Sequence, residues 1–335
     1  MVNGEWPEAF TIHHSPFTIQ SMKIIVPVPI RTMLEPQLPS WVDAIWVGHE
    51  GAFDGDPSGA VAYFRWWSDQ PALEQVLTAA PLLRWMHTPS AGVDRLLTPD
   101  VLARDITLTN SAGVHAIPIA EFVLGFMLAH AKQIGAYRDA QAEARWVEGM
   151  QLRELYESSL LIIGIGGIGQ AIAERAAAFG MRIYGSRRTP RPMPGVARVV
   201  GGDGWRDLLP DADYIVVAAP LTDETRGMLD AAAFAAMKPT AYLINIARGA
   251  LIDDPALSAA LRDGQIGGAA LDTFDQEPLP AESPLWGLPN VTITPHATAS
   301  SPRMRERQIA LFIENLARFR AGKPLLNSVD KSAGY

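Results

Sequence analysis

The chain has 335 residues, of which 48% are hydrophobic and 19% charged, and it contains no cysteine. This length predicts about two domains, and the absence of cysteine excludes disulfides, thiolate metal sites and cysteine nucleophiles. The 28 Lys and Arg residues against 36 Asp and Glu residues give a formal net charge of −8, which makes nucleic acids and anionic membranes poor partners.

Residues 1–21 show no periodic pattern, and we expect them to form an extension outside the core fold. The first Lys or Arg is Lys23, so a signal peptide is not expected. No apolar run reaches the roughly 18 residues that a membrane-spanning helix needs. We therefore expect a cytoplasmic protein without a membrane partner. The sequence also shows no residues at the spacing of metal ligands, so no metal is expected.

Short apolar runs alternate with helix-compatible stretches in the first third of the chain. The predicted strands cover residues 23–28, 44–47, 61–66, 82–86 and 107–109. A long stretch then predicts one helix over residues 117–146. Its first half, 117–131, is apolar nearly all round and should therefore be buried between layers or subunits. The alternation of strands and helices is typical of a parallel sheet.

A second alternating series follows the long helix. Its predicted strands cover residues 160–164, 182–185, 214–218, 241–246, 268–271 and 291–294, and a last helix is predicted over 302–321. The two series predict an α/β protein with two doubly wound parallel-sheet domains. In such sheets, ligands bind at the carboxyl ends of the strands.

Residues 161–180 read LIIGIGGIGQAIAERAAAFG, in which Gly164, Gly166 and Gly169 form a G-x-G-x-x-G motif. An apolar strand precedes the motif and an Ala-rich helix follows it, which is the context of a dinucleotide site. Gly164 permits a tight turn, Gly166 lets a pyrophosphate approach the backbone, and Gly169 allows the helix to pack closely. We expect the phosphates at this helix N-terminus, next to Gly167 and Ile168. The alternative is a glycine-rich turn without a ligand.

The strand after the motif predicts which dinucleotide binds. NAD sites place Asp or Glu about 20 residues after the first glycine, but this region holds Ser186, Arg187 and Arg188 instead. A guanidinium binds a phosphate dianion through two hydrogen bonds, and serine adds another. The sequence therefore favours NADP(H) over NAD(H), unless this basic turn is merely solvated.

Several motifs in order show that the chain resembles the D-isomer-specific 2-hydroxyacid dehydrogenases, and among them the glyoxylate/hydroxypyruvate reductases. Besides the glycine loop, the motifs are PSAGVD at 89–94, NSAGVHAIPIAEFVLGFMLA at 110–129, AAPLTDETRGML at 218–229, LINIARGALID at 243–253, ALDTFDQEPL at 270–279 and TPHATAS at 294–300. The resemblance implies a flavodoxin-like substrate domain of residues 22–112 and 302–335. It also implies a Rossmann coenzyme domain of residues 113–301 and a cleft between the two.

The resemblance implies three catalytic residues, and their chemistry suits the reduction of a ketone. Arg248 would bind the carboxylate and carbonyl oxygen of a 2-oxo acid. His296 would be the general acid, giving a proton to that oxygen. Glu277 would orient the ring and favour its charged form.

The resemblance also implies contacts outside this set. Asp272 would bind the nicotinamide carboxamide, or else it caps a turn at the end of its strand. The loop Ser90, Ala91 and Gly92 would hold the substrate carboxylate through its backbone N–H groups, or else it is only a tight turn. The remaining dinucleotide contacts would come from Pro220, Thr225, Ile246 and Ala247.

We therefore expect an NADPH-dependent enzyme that reduces a small 2-oxo acid to the D-2-hydroxy acid. The resemblance further implies a homodimer formed through the apolar helix of residues 117–131. Two alternatives stay open. One is a redox-sensing interaction protein like the transcriptional corepressors of the same fold. The other is an NAD-dependent D-2-hydroxyacid dehydrogenase with a different substrate.

Overall fold

The computed structural model describes residues 21–66, 70–93 and 96–332 of the chain. The expected extension at residues 1–21 lies, except for its last residue, outside the described part. The chain divides into two compact units. The first contains the described residues up to Pro89, with Leu97–Ser111 and Glu306–Lys331, and the second contains Ser90–Leu96 and Ala112–Arg305. The described residues of the stretch Ser90–Leu96, which we expected in the first domain, group with the second unit.

The first unit is built on a parallel sheet. Its strands are β1 (Met22–Pro27), β2 (Val42–Val47), β3 (Ala62–Phe64), β4 (Trp85–His87) and β5 (Thr107–Thr109), and its helices are α1 (Arg31–Leu34), α2 (Gln70–Ala79) and α3 (Pro99–Ala103). The strand order is β2-β1-β3-β4-β5, and all pairs are parallel. Thr98 caps α3 by accepting a hydrogen bond from the Val101 N–H at 3.5 Å.

Aromatic side chains fill the core of the first unit. Phe312, from the C-terminal helix (Met304–Arg320), stacks on Phe64 and on Trp85, with ring centroids 4.5 and 5.3 Å apart. The chain beyond this helix then covers the edge strand β5. There the Val329 N–H donates to the Leu108 carbonyl at 2.8 Å. The C-terminal segment is therefore part of the first unit.

The second unit holds a larger parallel sheet. Its strands are β6 (Ser159–Ile163), β7 (Arg182–Ser186), β8 (Arg198–Val200), β9 (Tyr214–Val217), β10 (Tyr242–Asn245), β11 (Gly268–Leu271) and β12 (Val291–Ile293), and its helices are α4 (Ala116–Ala131), α5 (Ile134–Ala142), α6 (Gly167–Ala178), α7 (Ala231–Ala236) and α8 (Asp254–Arg262). The central strands are buried along their whole length, as expected for a sheet covered on both faces.

The strand order in the second unit locates the ligand site. The order β12-β11-β10-β9-β6-β7-β8 runs in opposite directions from the pair β6 and β9, which is the point where such sheets bind dinucleotides. The glycine loop follows β6 directly. The predicted α/β class with two parallel sheets is confirmed, whereas β8, a three-residue edge strand, was not predicted.

The prediction of one helix over residues 117–146 is wrong. Two helices, α4 and α5, meet at a bend of 65°, and Gln133 between them has a left-handed backbone with φ of +52°. The apolar pattern of α4 stops at Ala131, where the helix leaves the core it shares with α6. In the described residues no single helix is long and apolar enough to span a membrane, and the bent pair reaches that limit only jointly.

Candidate active site

The loop between β6 and α6 requires glycine at two positions. Gly164 has φ of +94°, and a Cβ on it would lie 2.4 Å from the backbone nitrogen of Ala219. A Cβ on Gly169 would lie 2.9 Å from the carbonyl oxygen of Gly164. Because neither position has room for a side chain, the backbone can turn sharply and α6 can pack close to β6.

The N-terminus of α6 offers backbone donors to a ligand. Gly166 is its N-cap residue and provides no side chain, so the first-turn amides of Gly167, Ile168 and Gly169 have no acceptor within the helix. A Cβ on Gly166 or Gly167 would meet no atom within 4 Å, so this side of the loop is open. The N–H groups and the helix dipole favour an anion there. The loop therefore fits the pyrophosphate of a dinucleotide.

Ser186 lies at the end of β7 and is tied to the glycine loop. It is buried, and its hydroxyl and carbonyl oxygens accept hydrogen bonds from the Gly164 N–H at 3.3 and 3.1 Å. Of the two basic residues that follow, Arg187 is half-buried and Arg188 is exposed. The sequence at this strand end, residues 186–188, contains no carboxylate. Binding of a 2′-phosphate by these three residues stays a prediction.

The Asn245 side chain folds the loop after β10. Its Nδ2 donates to the Arg248 carbonyl at 2.9 Å, and its Oδ1 accepts from the Ala247 N–H at 3.1 Å. Ile246 is buried, and Arg248 is half-buried with its Nη1 donating to the Ala247 carbonyl at 2.7 Å. The buried amide therefore sets the shape of the loop that carries Arg248.

Asp272, directly after β11, is fully buried and holds the segment after β12. Its Oδ1 accepts from the Thr294 hydroxyl at 2.5 Å and from the Ala297 N–H at 2.8 Å. Its Oδ2 accepts from the Thr298 hydroxyl at 2.6 Å and from the Thr298 N–H at 3.1 Å. Four donors thus occupy a carboxylate with about four acceptor positions. In this structure Asp272 shapes the turn, and its contact with a nicotinamide stays a prediction.

The structure brings His296 and Glu277 together. The ring Nδ1 of His296 lies 3.1 and 3.0 Å from the two carboxylate oxygens of Glu277, whose Oε1 also accepts from the Phe274 N–H at 3.1 Å. His296 has a left-handed backbone with φ of +52°, and its N–H donates to the Asp272 carbonyl at 2.8 Å. The side chain of His296 is 44% exposed, whereas that of Glu277 is 23% exposed. Glu277 therefore holds the Nδ1 side of the His296 ring, and the ring's Nε2 makes no bond to Glu277.

The predicted contacts Pro220 and Thr225 lie in one turn after β9. The Thr225 hydroxyl donates to the Pro220 carbonyl at 2.8 Å and accepts from the Thr222 N–H at 2.8 Å. Thr225 therefore closes the turn, and Pro220 is exposed on it. A contact of either residue with the adenosine half of a dinucleotide stays a prediction.

The loop of residues 90–92 follows β4, and the carbonyls just before it are held by buried side chains. The Ser111 hydroxyl donates to the Thr88 carbonyl at 3.0 Å, and Gln308 Nε2 donates to the Pro89 carbonyl at 2.8 Å. The first two residues of the loop, Ser90 and Ala91, are half-buried, and Gly92 is exposed. Binding of a substrate carboxylate by this loop stays a prediction.

His87, the last residue of β4, is fully buried in a directed chain of hydrogen bonds. The Ser111 hydroxyl donates its hydrogen to the Thr88 carbonyl, so His87 Nε2 donates to the Ser111 oxygen at 3.2 Å. In the neutral ring Nδ1 then accepts from the Thr109 hydroxyl at 2.8 Å, whose oxygen accepts from Trp85 Nε1 at 2.8 Å. The neutral ring is fully satisfied, and burial lowers the pKa of His87 to about 3. His87 therefore has a structural role in the first unit.

Two residues that shape the site were not singled out in the sequence, although both stand in the Arg248 motif. Asn245 ends a strand before a turn, and asparagine side chains often bond to the backbone two residues on. Gly249 touches the backbone of Phe274 and Asp275, which sequence reasoning has no means of detecting. Within residues 21–66, 70–93 and 96–332, no three His, Asp or Glu side chains gather as a metal site.

Comparisons with known proteins show the family and the fold. A family model for the D-isomer specific 2-hydroxyacid dehydrogenase NAD binding domain matches residues 124–298. A glyoxylate reductase from Korarchaeum cryptofilum is 36% identical over 270 residues, covering 78% of this chain and 80% of that protein.

Two solved structures are similar over nearly the whole chain. A D-isomer specific 2-hydroxyacid dehydrogenase from Xanthobacter autotrophicus Py2, in complex with NADPH and MES, is 32% identical with a TM-score of 0.84, covering 94% of this chain and 100% of that one. An NADPH-dependent glyoxylate/hydroxypyruvate reductase from Sinorhizobium meliloti, in complex with NADP and sulfate, is 30% identical with a TM-score of 0.81 at the same coverage.

Proposed function

The chain belongs to the D-isomer-specific 2-hydroxyacid dehydrogenases, and from this membership we propose that it reduces a small 2-oxo acid to the D-2-hydroxy acid. It is an oxidoreductase that acts on CH–OH groups with NAD(P). The proposed substrates are glyoxylate, hydroxypyruvate or a related acid. The observation that carries the proposal is the Glu277–His296 pair, 3.0 Å apart, in the loops that follow β11 and β12, the two strands that come next to β10 and its Arg248 loop in the sheet order.

The preferred cofactor is proposed to be NADPH. When bound, the nicotinamide supplies the hydride that reduces the ketone carbon. The amides of Gly167, Ile168 and Gly169 would hold the pyrophosphate. Arg187 and Arg188 would bind the 2′-phosphate, because the strand end carries basic residues and no carboxylate. Two similar proteins are solved with NADPH or NADP, which supports this choice.

His296 is proposed to donate the proton. Its Nδ1–H stays bonded to Glu277, so the proton that moves is on Nε2, the ring nitrogen that has no bond to Glu277. As negative charge develops on the carbonyl oxygen, the protonated ring gives that proton to it and becomes neutral. The Glu277 carboxylate holds the ring in place and keeps the remaining proton on Nδ1 once the ring is neutral. In the reverse direction the neutral ring accepts the proton.

Arg248 is proposed to bind the substrate carboxylate. Its guanidinium offers two parallel donors to a carboxylate and adds positive charge where the carbonyl oxygen becomes negative. The backbone N–H groups of the loop 90–92 would hold the other side of the carboxylate. Asn245 limits the freedom of the Arg248 loop before the substrate arrives.

The enzyme is also proposed to work as a homodimer in the cytoplasm, where NADPH is kept reduced. Large apolar side chains on α4 and α5 are more than a third exposed in the single chain: Ile117, Phe122, Ile134 and Tyr137. A second copy would cover this face. Light scattering at micromolar concentration should give twice the mass of one chain, and a monomer would contradict this part of the proposal.

A panel of small 2-oxo acids, assayed with NADPH and with NADH, tests the proposal. We expect turnover of glyoxylate or hydroxypyruvate and a higher kcat/KM with NADPH. Tight NADPH binding without turnover of any 2-oxo acid would contradict the proposal and favour a redox-sensing protein. Equal kcat/KM for the two cofactors would leave the reduction standing but overturn the preference for NADPH.

A further inference from the structure

Gly249 makes a close backbone contact between two loops of the candidate site. A Cβ on Gly249 would lie 1.9 Å from the carbonyl carbon of Phe274 and 2.0 Å from the backbone nitrogen of Asp275. Both atoms belong to the backbone, so no side-chain rotation can relieve the overlap. The loop after β10 and the loop after β11 therefore touch at a distance that only glycine permits.

One side of this contact carries Arg248. The buried Asn245 amide holds the Arg248 carbonyl and the Ala247 N–H, so the residues before Gly249 form one compact turn. Arg248 directly precedes Gly249 in the chain. Any shift of Gly249 away from Phe274 therefore also moves the Arg248 Cα and, with it, the guanidinium.

The other side of this contact carries Glu277. The Phe274 N–H donates to Glu277 Oε1 at 3.1 Å, and the same carboxylate holds His296 Nδ1. The residue that touches Gly249 is thus the residue that fixes the carboxylate. A shift of the Phe274 backbone removes a hydrogen bond from Glu277 and changes how it holds the imidazole.

We propose that Asn245 and Gly249 are positioning residues that set the spacing between Arg248 and the Glu277–His296 pair. Asn245 shapes the Arg248 loop, and Gly249 seats it against the loop that holds Glu277. The inference rests on the proposed function, because the spacing matters only if Arg248 and His296 act on one substrate. A misplacement of about 1 Å in such a constellation can lower the rate about 100-fold.

Gly249→Ala is the direct test, with glyoxylate and NADPH in the assay. We expect kcat/KM to fall about 100-fold, while the Kd for NADPH, measured by its fluorescence, stays near the wild-type value. The pH at which the reduction rate declines should move in the same direction as in Glu277→Gln. The double variant Gly249→Ala with Glu277→Gln should lose less than the product of the two single losses, because both act on one carboxylate.

Asn245→Asp, which adds no side-chain atom, is the variant that decides the matter if Gly249→Ala does not fold. In its ionised form it keeps an acceptor for the Ala247 N–H and replaces the donor to the Arg248 carbonyl by an acceptor. We expect the misplaced Arg248 to lose about one hydrogen bond to the substrate carboxylate. KM for glyoxylate should then rise about tenfold, with a smaller change in kcat. Gly287→Ala is the matched control, since Gly287 is exposed and a Cβ there meets nothing within 4 Å.

Arg248→Lys and His296→Ala, measured in the same assays, separate the two possible failures. If these variants keep wild-type activity, the proposed function itself is wrong. If they lose activity while a folded Gly249→Ala keeps wild-type kcat/KM and pH profile, only the positioning inference is overturned. An unchanged KM in Asn245→Asp overturns it as well.

Discussion

At the residue scale, the basic strand end after β7 determines the expected cofactor preference. Arg187→Asp combined with Arg188→Ala removes two cations and adds a carboxylate that suits a ribose 2′-hydroxyl. We expect kcat/KM with NADPH to fall at least about tenfold, since each hydrogen bond to a charged group contributes about 1.5–3 kcal/mol. The value with NADH should rise.

Arg182→Ala is the control for this change. Arg182 is exposed at the start of β7, whereas Ser186 lies at its end. The control therefore removes a cation at the opposite end of the same strand. Steady-state kinetics with both cofactors checks the prediction. An unchanged preference in the double variant would show that the basic turn is only solvated.

Sequence reasoning identified residue types at this scale better than it identified their contacts. The motif containing His296 shows a histidine, but not that its φ is +52° or that its N–H bonds to Asp272. Asp272 illustrates the limit most clearly. Its four partners are two hydroxyls and two N–H groups from residues 294–298, and no spacing rule connects a strand end to a turn more than 20 positions later.

At the element scale, Asp272 joins β11 to the turn that carries His296. In Asp272→Asn, an amide NH2 replaces one acceptor oxygen. In the wild type each carboxylate oxygen accepts one backbone N–H, from Ala297 or from Thr298. In the variant one of these N–H groups therefore loses its acceptor, whichever way the amide is oriented. An unsatisfied buried donor costs about 1–3 kcal/mol, and we expect the free energy of unfolding to fall by that amount.

The same variant should also lower kcat, because the turn that aims His296 loosens. Chemical denaturation and steady-state kinetics check the two effects. Asp275→Asn, an exposed residue on the same loop, is the control and should change neither. Unaltered stability and kcat in Asp272→Asn would mean that the four hydrogen bonds do not hold the turn.

Elements with long apolar runs were predicted well from the sequence, and short ones were not. The central strands of the second unit are buried on both faces, so their apolar runs are continuous and easy to recognise. The edge strand β8 has only three residues, and one of them is exposed. The division between α4 and α5 depends on a left-handed Gln133, which apolar periodicity cannot reveal because the polar continuation is also compatible with a helix.

At the scale of the whole molecule, the buried His87 makes stability depend on pH. The pKa of His87 is lowered from 6.5 to about 3 by burial in the folded chain. Between these values the unfolded chain binds a proton that the folded chain does not. The free energy of unfolding should therefore decrease as the pH falls from 6.5, by up to about 1.4 kcal/mol per pH unit from this residue.

Denaturant unfolding at several pH values between 7.5 and 5 checks this prediction. His87→Gln should be less stable than the wild type at pH 7.5 but should lose less stability as the pH falls. His49→Gln, an exposed histidine in the same unit, is the matched control and should keep the wild-type dependence. Parallel pH curves for wild type and His87→Gln would contradict the assignment of a neutral buried ring.

The most direct test of the central claim is the kcat of His296→Ala with glyoxylate or hydroxypyruvate and NADPH. A general acid contributes about 10²–10⁴-fold, so kcat should fall by that factor while the Kd for NADPH stays unchanged. His49→Gln in the same assay should retain the wild-type rate. A kcat near that of the wild type in His296→Ala would remove the imidazole from the mechanism and with it the proposed role of the Glu277–His296 pair.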